Sequence, residues 1–180
     1  MNYEERTMKS NKIYEGHILA LRVDTVELPN QKYSKREIVE HVGAVGVVAI
    51  TEDGQVLFVR QYRKAVEKSL LEIPAGLVNS NEEPGLAAKR ELEEETGYTC
   101  DKVEFMTEFY PSPGFSTEKI HLFLARNLVK GQANPDDDEF LELESMPFEE
   151  ALRKVYLGEF SDAKTILALL LAKDFMEEVE

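Results

Sequence analysis

Thirteen residues, Pro84–Thr96, followed by Gly97, leave the chain little conformational choice. Pro84 fits the first turn of a helix, where its missing N–H is not needed, and Gly97 fits the left-handed stop just past the end. On the helix so bounded, Glu91, Glu94 and Glu95 stand three and four positions apart and therefore share one face. Packing like charges this closely costs roughly a few tenths of a kcal/mol per pair on an exposed helix, and more where the face is partly buried. A hard divalent cation with oxygen ligands offsets that repulsion, and magnesium characteristically bridges protein carboxylates to phosphates. Ala88 and Leu92, one turn apart beside the acidic face, are positioned to dock the helix on a sheet. Spacing alone leaves two readings open, a cation site and a solvated acidic surface.

The remaining sequence bounds what such a helix can serve. With 180 residues and 43% hydrophobic content, the chain suits one compact domain with its own core, extended by a small subdomain. Cys100 is the only cysteine, so no intramolecular disulfide forms and a reducing, cytoplasmic compartment is expected. Met1–Lys9 is polar, and the longest apolar runs, Val42–Ile50 and Ile166–Ala172, are too short for a membrane span, which predicts a soluble, untargeted protein with no membrane partner. A formal net charge of -14 and the lack of a basic stripe argue against nucleic acid as a partner. Most of the 35 acidic residues are read as solvated surface charge.

Along the chain, Ile13–Leu28 and Lys32–His41 read as two extended segments around Pro29-Asn30-Gln31, an N-terminal β-ribbon. Gly43–Ile50 and Val56–Gln61 read as strands joined at Glu52-Asp53-Gly54 in a tight hairpin. A strand at Leu70–Ile73, a loop from Pro74 to about Glu83 and the acidic helix follow. Val103–Tyr110, Lys119–Leu128 and Phe140–Glu144 read as strands. Two helices close the chain, Pro147–Leu157 with Gly158 as its stop, and one capped by Ser161. This order predicts an α/β (α+β) sandwich rather than a doubly wound sheet. The expected division is a β-ribbon subdomain over residues 1–41 and a second domain over 42–180.

The whole pattern decides between the two readings of the helix. Gly76, five residues, Glu82, seven residues, Arg90-Glu91, Leu92, one residue, Glu94-Glu95, one residue and Gly97 resemble the Nudix box at every charged and glycine position, with Tyr98 where a small aliphatic is usual. The resemblance implies a Nudix α/β/α sandwich with a mixed sheet, behind a small N-terminal antiparallel β subdomain. It implies that Glu91, Glu94 and Glu95 bind magnesium with help from the Ala75 carbonyl, that Arg90 and Glu82 form a structural salt bridge, and that Gly76 and Gly97 meet backbone requirements. Two or three magnesium ions per site are expected, with manganese as a substitute.

Outside the box the chain is similar to bacterial ADP-ribose pyrophosphatases over nearly its full length. Pro113, in Ser112-Pro113-Gly114-Phe115-Ser116-Thr117-Glu118, stands sixteen residues beyond Gly97 and matches a marker of that subgroup; Arg60-Gln61-Tyr62-Arg63 and Phe160-Ser161-Asp162-Ala163-Lys164-Thr165 are also similar to it, and are less specific than the box. The subgroup cleaves ADP-ribose to AMP and ribose 5-phosphate by attack of water on the diphosphate. An anionic substrate approaching a protein of charge -14 requires metal ions and placed arginines to invert the local potential. Arg36, Arg60 and Arg63 are the candidates. The resemblance puts Arg36 at the adenine end, Arg63 on the diphosphate and Glu118 on part of the nucleotide, with Arg60 the weakest of the three arginines.

The attacking water must lose a proton. Asp136-Asp137-Asp138-Glu139 precedes the strand at Phe140, where the family places a catalytic loop; Glu139 is the first choice for base or late-bound metal ligand and Asp137 the second, with Glu94 also in the catalytic set. An acidic loop is otherwise simply solvated. The family further implies a homodimer in which the N-terminal part crosses to the partner and Arg36 serves the partner's site. The rival readings are a Nudix hydrolase acting on NADH, a sugar nucleotide or a dinucleoside polyphosphate, and a non-catalytic module that senses a nucleotide. A calcium-binding protein is disfavoured, because the alternating-oxygen loop of a dedicated calcium site is missing.

Overall fold

In the computed structural model, residues 3–134 and 140–177 are described. The chain divides into two units, residues 1–43 with 110–119, and residues 44–109 with 120–180.

The first unit is a three-stranded antiparallel sheet of β1 (Arg6–Glu15), β2 (Leu19–Glu27) and β3 (Tyr33–His41), with β2 central. The segment expected to run unbroken from Ile13 to Leu28 instead folds back at Gly16–Ile18, where the Gly16 N–H donates to the Leu19 carbonyl at 2.9 Å. Gly16 is the break that the β-favouring residues around it obscured. The Pro29-Asn30-Gln31 turn is present, with Gln31 at φ 64° and its N–H on the Leu28 carbonyl. The loop 110–119 lies along β3, where the Val39 N–H donates to the Phe115 carbonyl and the Thr117 N–H to the Val39 carbonyl.

The second unit is built around β4 (Ala44–Ala49), whose side chains alternate between two cores as a strand buried on both faces must. Val45, Val47 and Ala49 pack with Ala87, Ala88 and Leu92 of α1 (Pro84–Thr96). Val48 and the following Ile50 pack on the other side with Ala151 and Leu152 of α2 (Phe148–Tyr156) and Ala168, Leu169 and Ala172 of α3 (Ala163–Glu177). The result is the α/β/α sandwich that the element order implies.

β4 does not pair with β5 (Gln55–Arg63) as the expected hairpin. It joins a mixed sheet in the order β7 (Ala75–Leu77), β4, β10 (Ile120–Ala125), β9 (Val103–Phe109), with β4 and β10 parallel. β5 belongs to a separate sheet, between β12 (Leu141–Pro147) and β6 (Lys68–Glu72). Gly54 takes a positive φ of 75° in the turn as expected, but only an Ile50–Val56 bridge links the strands beyond it. Turn chemistry specifies a reversal locally; which strands then pair is decided by non-local packing. The loop expected from Pro74 likewise contains β7, and a short pair, β8 (Tyr98–Thr99) with β11 (Val129–Lys130), follows α1. α3 is capped by Asp162 rather than Ser161, its carboxylate accepting from the Thr165 N–H at 3.0 Å. Among the described residues, no helix is long and apolar enough to cross a membrane.

Candidate active site

α1 has the expected ends. The Glu83 side chain accepts from the Gly85 N–H, Pro84 opens the helix, and Gly97 closes it at φ 73° with its N–H on the Glu93 carbonyl. Burial of Ala87, Ala88 and Leu92 against β4 fixes the rotation of the helix, and that rotation turns Glu91 and Glu95 toward β7, with Glu94 beside them on Arg90.

The three glutamates differ in setting. Glu95 is 5% exposed, and its Oε2 accepts from the Ala75 N–H at 2.9 Å. The Ala75 amide therefore has a defined role, holding a carboxylate. Glu91 lies over Gly76, where a Cβ would stand 2.1 Å from its carboxyl carbon, so only glycine leaves room. Glu94 is the most open, with its side chain 37% exposed.

Arg90 organises this face. Its Nε and Nη2 hold Glu82 at 3.0 and 2.9 Å, the salt bridge expected within the box, and Nη2 also donates to the Leu77 carbonyl. The same guanidinium, through Nη1, reaches Glu91 at 2.7 Å and Glu94 at 2.8 Å, which the sequence did not suggest. The hydrogen bond to Glu82, with those to Glu91 and Glu94, raises Arg90 far above the ordinary arginine value, and Arg90 in turn lowers Glu82. One oxygen each of Glu91 and Glu94 thus converges on a single cationic nitrogen. That donor set, all carboxylate oxygen with a cation already between two of its members, fits a hard divalent ion. No cluster of three or more ligands is preassembled among the described residues.

Beside it lies a buried ionic group. Glu72, at the end of β6, is 2% exposed and carries two cations, Arg63 bidentate at 2.7 and 2.8 Å and Lys164. Burial alone would raise the Glu72 carboxyl, but Arg63 and Lys164 outweigh it and hold it below the usual range. Arg63 also feels the charge of Glu95, which places it on the carboxylate side of β5. Glu72 and Lys164 were not among the sequence candidates. A charged residue inside the apolar run Leu70-Leu71-Glu72-Ile73 was the available signal.

Arg60, three residues from Arg63 on the same strand, projects to the opposite face and pairs with Glu144 of β12. The structure does not bring these two arginines together. There Arg60 joins Lys68, Lys154, Phe160 and Ser161 in lining a shallow pocket. In the first unit, Arg36 on β3 pairs with Glu5 and donates to Ser34 Oγ, Glu118 stands 3.9 Å from His41 Nδ1, and Pro113 sits in the turn closed by the Phe115 and Ser116 amides on the Ser112 carbonyl. Asp137 and Glu139 lie outside the described residues. The segment just before them is tied to the end of α1: Gly131 N–H donates to the Gly97 carbonyl at 2.6 Å and Asn134 N–H to the Glu94 carbonyl at 3.0 Å.

Comparison with known proteins agrees with this arrangement. The NUDIX domain profile matches residues 40–169, and the profile of the nucleoside diphosphate sugar hydrolase N-terminal domain matches residues 5–39. The chain is 48% identical to the ADP-ribose pyrophosphatase of Bacillus subtilis (strain 168), over 92% of this chain and 91% of that protein. It is 47% identical to the methanol dehydrogenase activator of Bacillus methanolicus, over 93% and 91%, and 36% identical to the GDP-mannose pyrophosphatase of Cronobacter sakazakii, over 88% and 90%. The fold is that of the crystal structure of an ADP compounds hydrolase, with a TM-score of 0.87 over 97% of this chain and 95% of that one at 21% identity. With a box helix docked on a mixed sheet, its three glutamates on one face and a family profile spanning most of its length, the chain belongs to the NUDIX domain family.

Proposed function

We propose that the protein hydrolyses ADP-ribose to AMP and ribose 5-phosphate, using divalent cations held on the acidic face of α1. The observation that carries this reading is the convergence of Glu91 and Glu94 on one cationic nitrogen, with Glu95 held beside them by the Ala75 amide. Its substrate is supported by near-full-length similarity to proteins named ADP-ribose pyrophosphatase, at 48% and 34% identity.

Glu91, Glu94 and Glu95 hold the cations, with the Ala75 carbonyl as a further oxygen. Magnesium, two or three ions per site, suits an all-oxygen donor set that meets phosphate. When bound, the ions neutralise charge on the diphosphate and lower the pKa of the attacking water. Everything else falls to the chain. Arg90 keeps two anchors, Glu82 and the Leu77 carbonyl, when Glu91 and Glu94 turn to a metal. Arg63, gripped by Glu72 through Nε and Nη2, has Nη1 left to meet the diphosphate. Glu139, or failing it Asp137, takes the proton of the water as its oxygen bonds to phosphorus and the anhydride P–O bond breaks, releasing two phosphate-bearing products.

Arg36, Glu118 and Pro113 are assigned to the nucleotide end, with residues 1–41 serving a homodimer in which Arg36 reaches the partner's site. Support for the dimer is the surface of β1, whose ten residues are all exposed, Met8, Ile13 and Tyr14 among them. Arg60, paired with Glu144 on the other face of β5, has the weakest claim to the substrate.

The test is phosphate release, after phosphatase treatment, from ADP-ribose, GDP-mannose, NADH and a dinucleoside polyphosphate, with magnesium present and then chelated. Metal-dependent turnover strongest on ADP-ribose is expected. Turnover strongest on another conjugate overturns the substrate, and none on any moves the chain to a nucleotide-binding role.

A further inference from the structure

The segment Phe160–Thr165 carries no chemistry in the reading above, yet its side chains meet the loop that enters the box. Thr165, fully buried, accepts from the Ile73 N–H at 2.9 Å and donates to Asp162 Oδ2 at 2.5 Å. That same Asp162 oxygen caps α3 through the Thr165 N–H at 3.0 Å and receives Lys164 Nζ at 3.0 Å. Lys164 then reaches Glu72, the residue before Ile73. Two residues beyond Ile73 stands Ala75, whose N–H holds Glu95.

Two things therefore depend on the first turn of α3. One is the place of the Ala75 amide, because Ile73 is pinned by Thr165 and only Pro74 separates the two. The other is the orientation of Arg63. Glu72 is buried and grips that guanidinium along its Nε–Nη2 edge, and Lys164 supplies the second cation that keeps Glu72 charged and in place.

We propose that Asp162, Lys164 and Thr165 are positioning residues for the box: the first turn of α3 sets the Ala75 amide that holds Glu95 and, through Glu72, the edge that Arg63 presents. Its consequence for turnover rests on the hydrolysis proposed above; its consequence for the Ala75 amide does not.

The test uses the full chain and two near-isosteric variants, Thr165→Val and Lys164→Met, with amide hydrogen exchange measured by NMR in the absence of substrate. In Thr165→Val the Ala75 amide is expected to exchange about tenfold faster while the core amide of Leu122 keeps its protection. With ADP-ribose, the same variant is expected to lose about ten- to a hundredfold in kcat with KM close to wild type, as misplacement of a reacting geometry does. Lys164→Met is expected to raise KM about fivefold or more with kcat nearly unchanged, and Lys164→Arg to recover most of it. Unchanged Ala75 protection in Thr165→Val overturns the proposal, as does a loss at Ala75 no greater than at Leu122, which marks general destabilisation. Should Lys164→Met not fold, the Glu72→Gln/Lys164→Met double variant removes both charges, and a KM equal to wild type in it counts against the Arg63 half. A wild-type protein inactive on every conjugate sinks the proposed function, while the Ala75 exchange still decides this one.

Discussion

The carboxylate of Glu91 fills the space that a side chain on residue 76 would need, its three terminal atoms lying 2.1 to 2.2 Å from where a Cβ on Gly76 would stand. Glycine is thus required by a contact from Glu91, fifteen residues further on, rather than by a turn. Because the obstructing atoms are the end of a flexible side chain, Gly76→Ala displaces Glu91 more readily than it unfolds the protein. Expected is a melting temperature within a few degrees of wild type, with metal-dependent turnover reduced by at least about tenfold. A variant of normal activity would separate Gly76 from the placement of Glu91.

Glu95→Gln keeps an oxygen to accept from the Ala75 N–H, so the fold and nucleotide binding are expected to survive. Loss of the carboxylate charge is expected to lower turnover by about a hundredfold or more. Steady-state kinetics with circular dichroism as the control decides it; near-normal turnover removes Glu95 from the functional set.

Magnesium is expected to raise the melting temperature in a concentration-dependent manner, since a ligand that binds only the folded chain stabilises it by about 2.7 kcal/mol at a hundredfold excess over Kd. The gain should shrink in Glu91→Gln and in Glu94→Gln, whose carboxylates now converge on Arg90. A thermal shift that is equal in wild type and both variants places the metal elsewhere.

Glu72 makes stability depend on pH. Its carboxyl is held below the ordinary 4.5 in the folded chain, burial being outweighed by Arg63 and Lys164. A depressed folded value means stability that is present above the unfolded value and lost as pH falls through the folded one. Urea midpoints are therefore expected to hold from neutrality to about pH 5 and to decline below about 4.5. Glu72→Gln should be less stable at neutral pH, where Arg63 and Lys164 lose their counter-ion, and should flatten the acid decline.

Gly97 combines a φ of 73° with a backbone neighbour, Ala133 N, 2.5 Å from any added Cβ. Gly97→Ala is expected to cost at least roughly 1–2 kcal/mol from the left-handed backbone alone. It also pushes away the segment that Gly131 and Asn134 tie to the helix end. Here the obstruction is main chain, so both stability and turnover should fall, in contrast to Gly76→Ala.

The helix carrying the site was legible because all its signals are local. Pro84, Gly97 and the three- and four-residue spacing of Glu91, Glu94 and Glu95 lie within one short stretch, and the observed bounds, Pro84–Thr96, are those read from it. The salt bridge of Arg90 and Glu82, present in the structure, was expected from the resemblance to the Nudix box rather than from local signals. Asp162 as the cap of α3 was readable in principle, since Asp is a favoured N-cap residue whose carboxylate accepts from a backbone N–H three residues on. Ser161, one residue earlier, is an equally good cap by type, and only the backbone chooses between them.

What the sequence determined by itself is the type and approximate place of the longer strands and helices, the box helix and its acidic face among them, because propensity, capping and helical period act between neighbours; the short strands β7, β8 and β11 and the break at Gly16 were not legible. What tertiary structure alone decided is pairing and partnership. It placed β4 and β5 in different sheets although the turn between them favours a hairpin, and set Arg60 and Arg63 on opposite faces with separate partners. It also joined Glu72 to Lys164 across 92 residues. Those choices depend on which apolar faces bury one another and which buried charges find counter-ions, and both are settled only when distant segments meet.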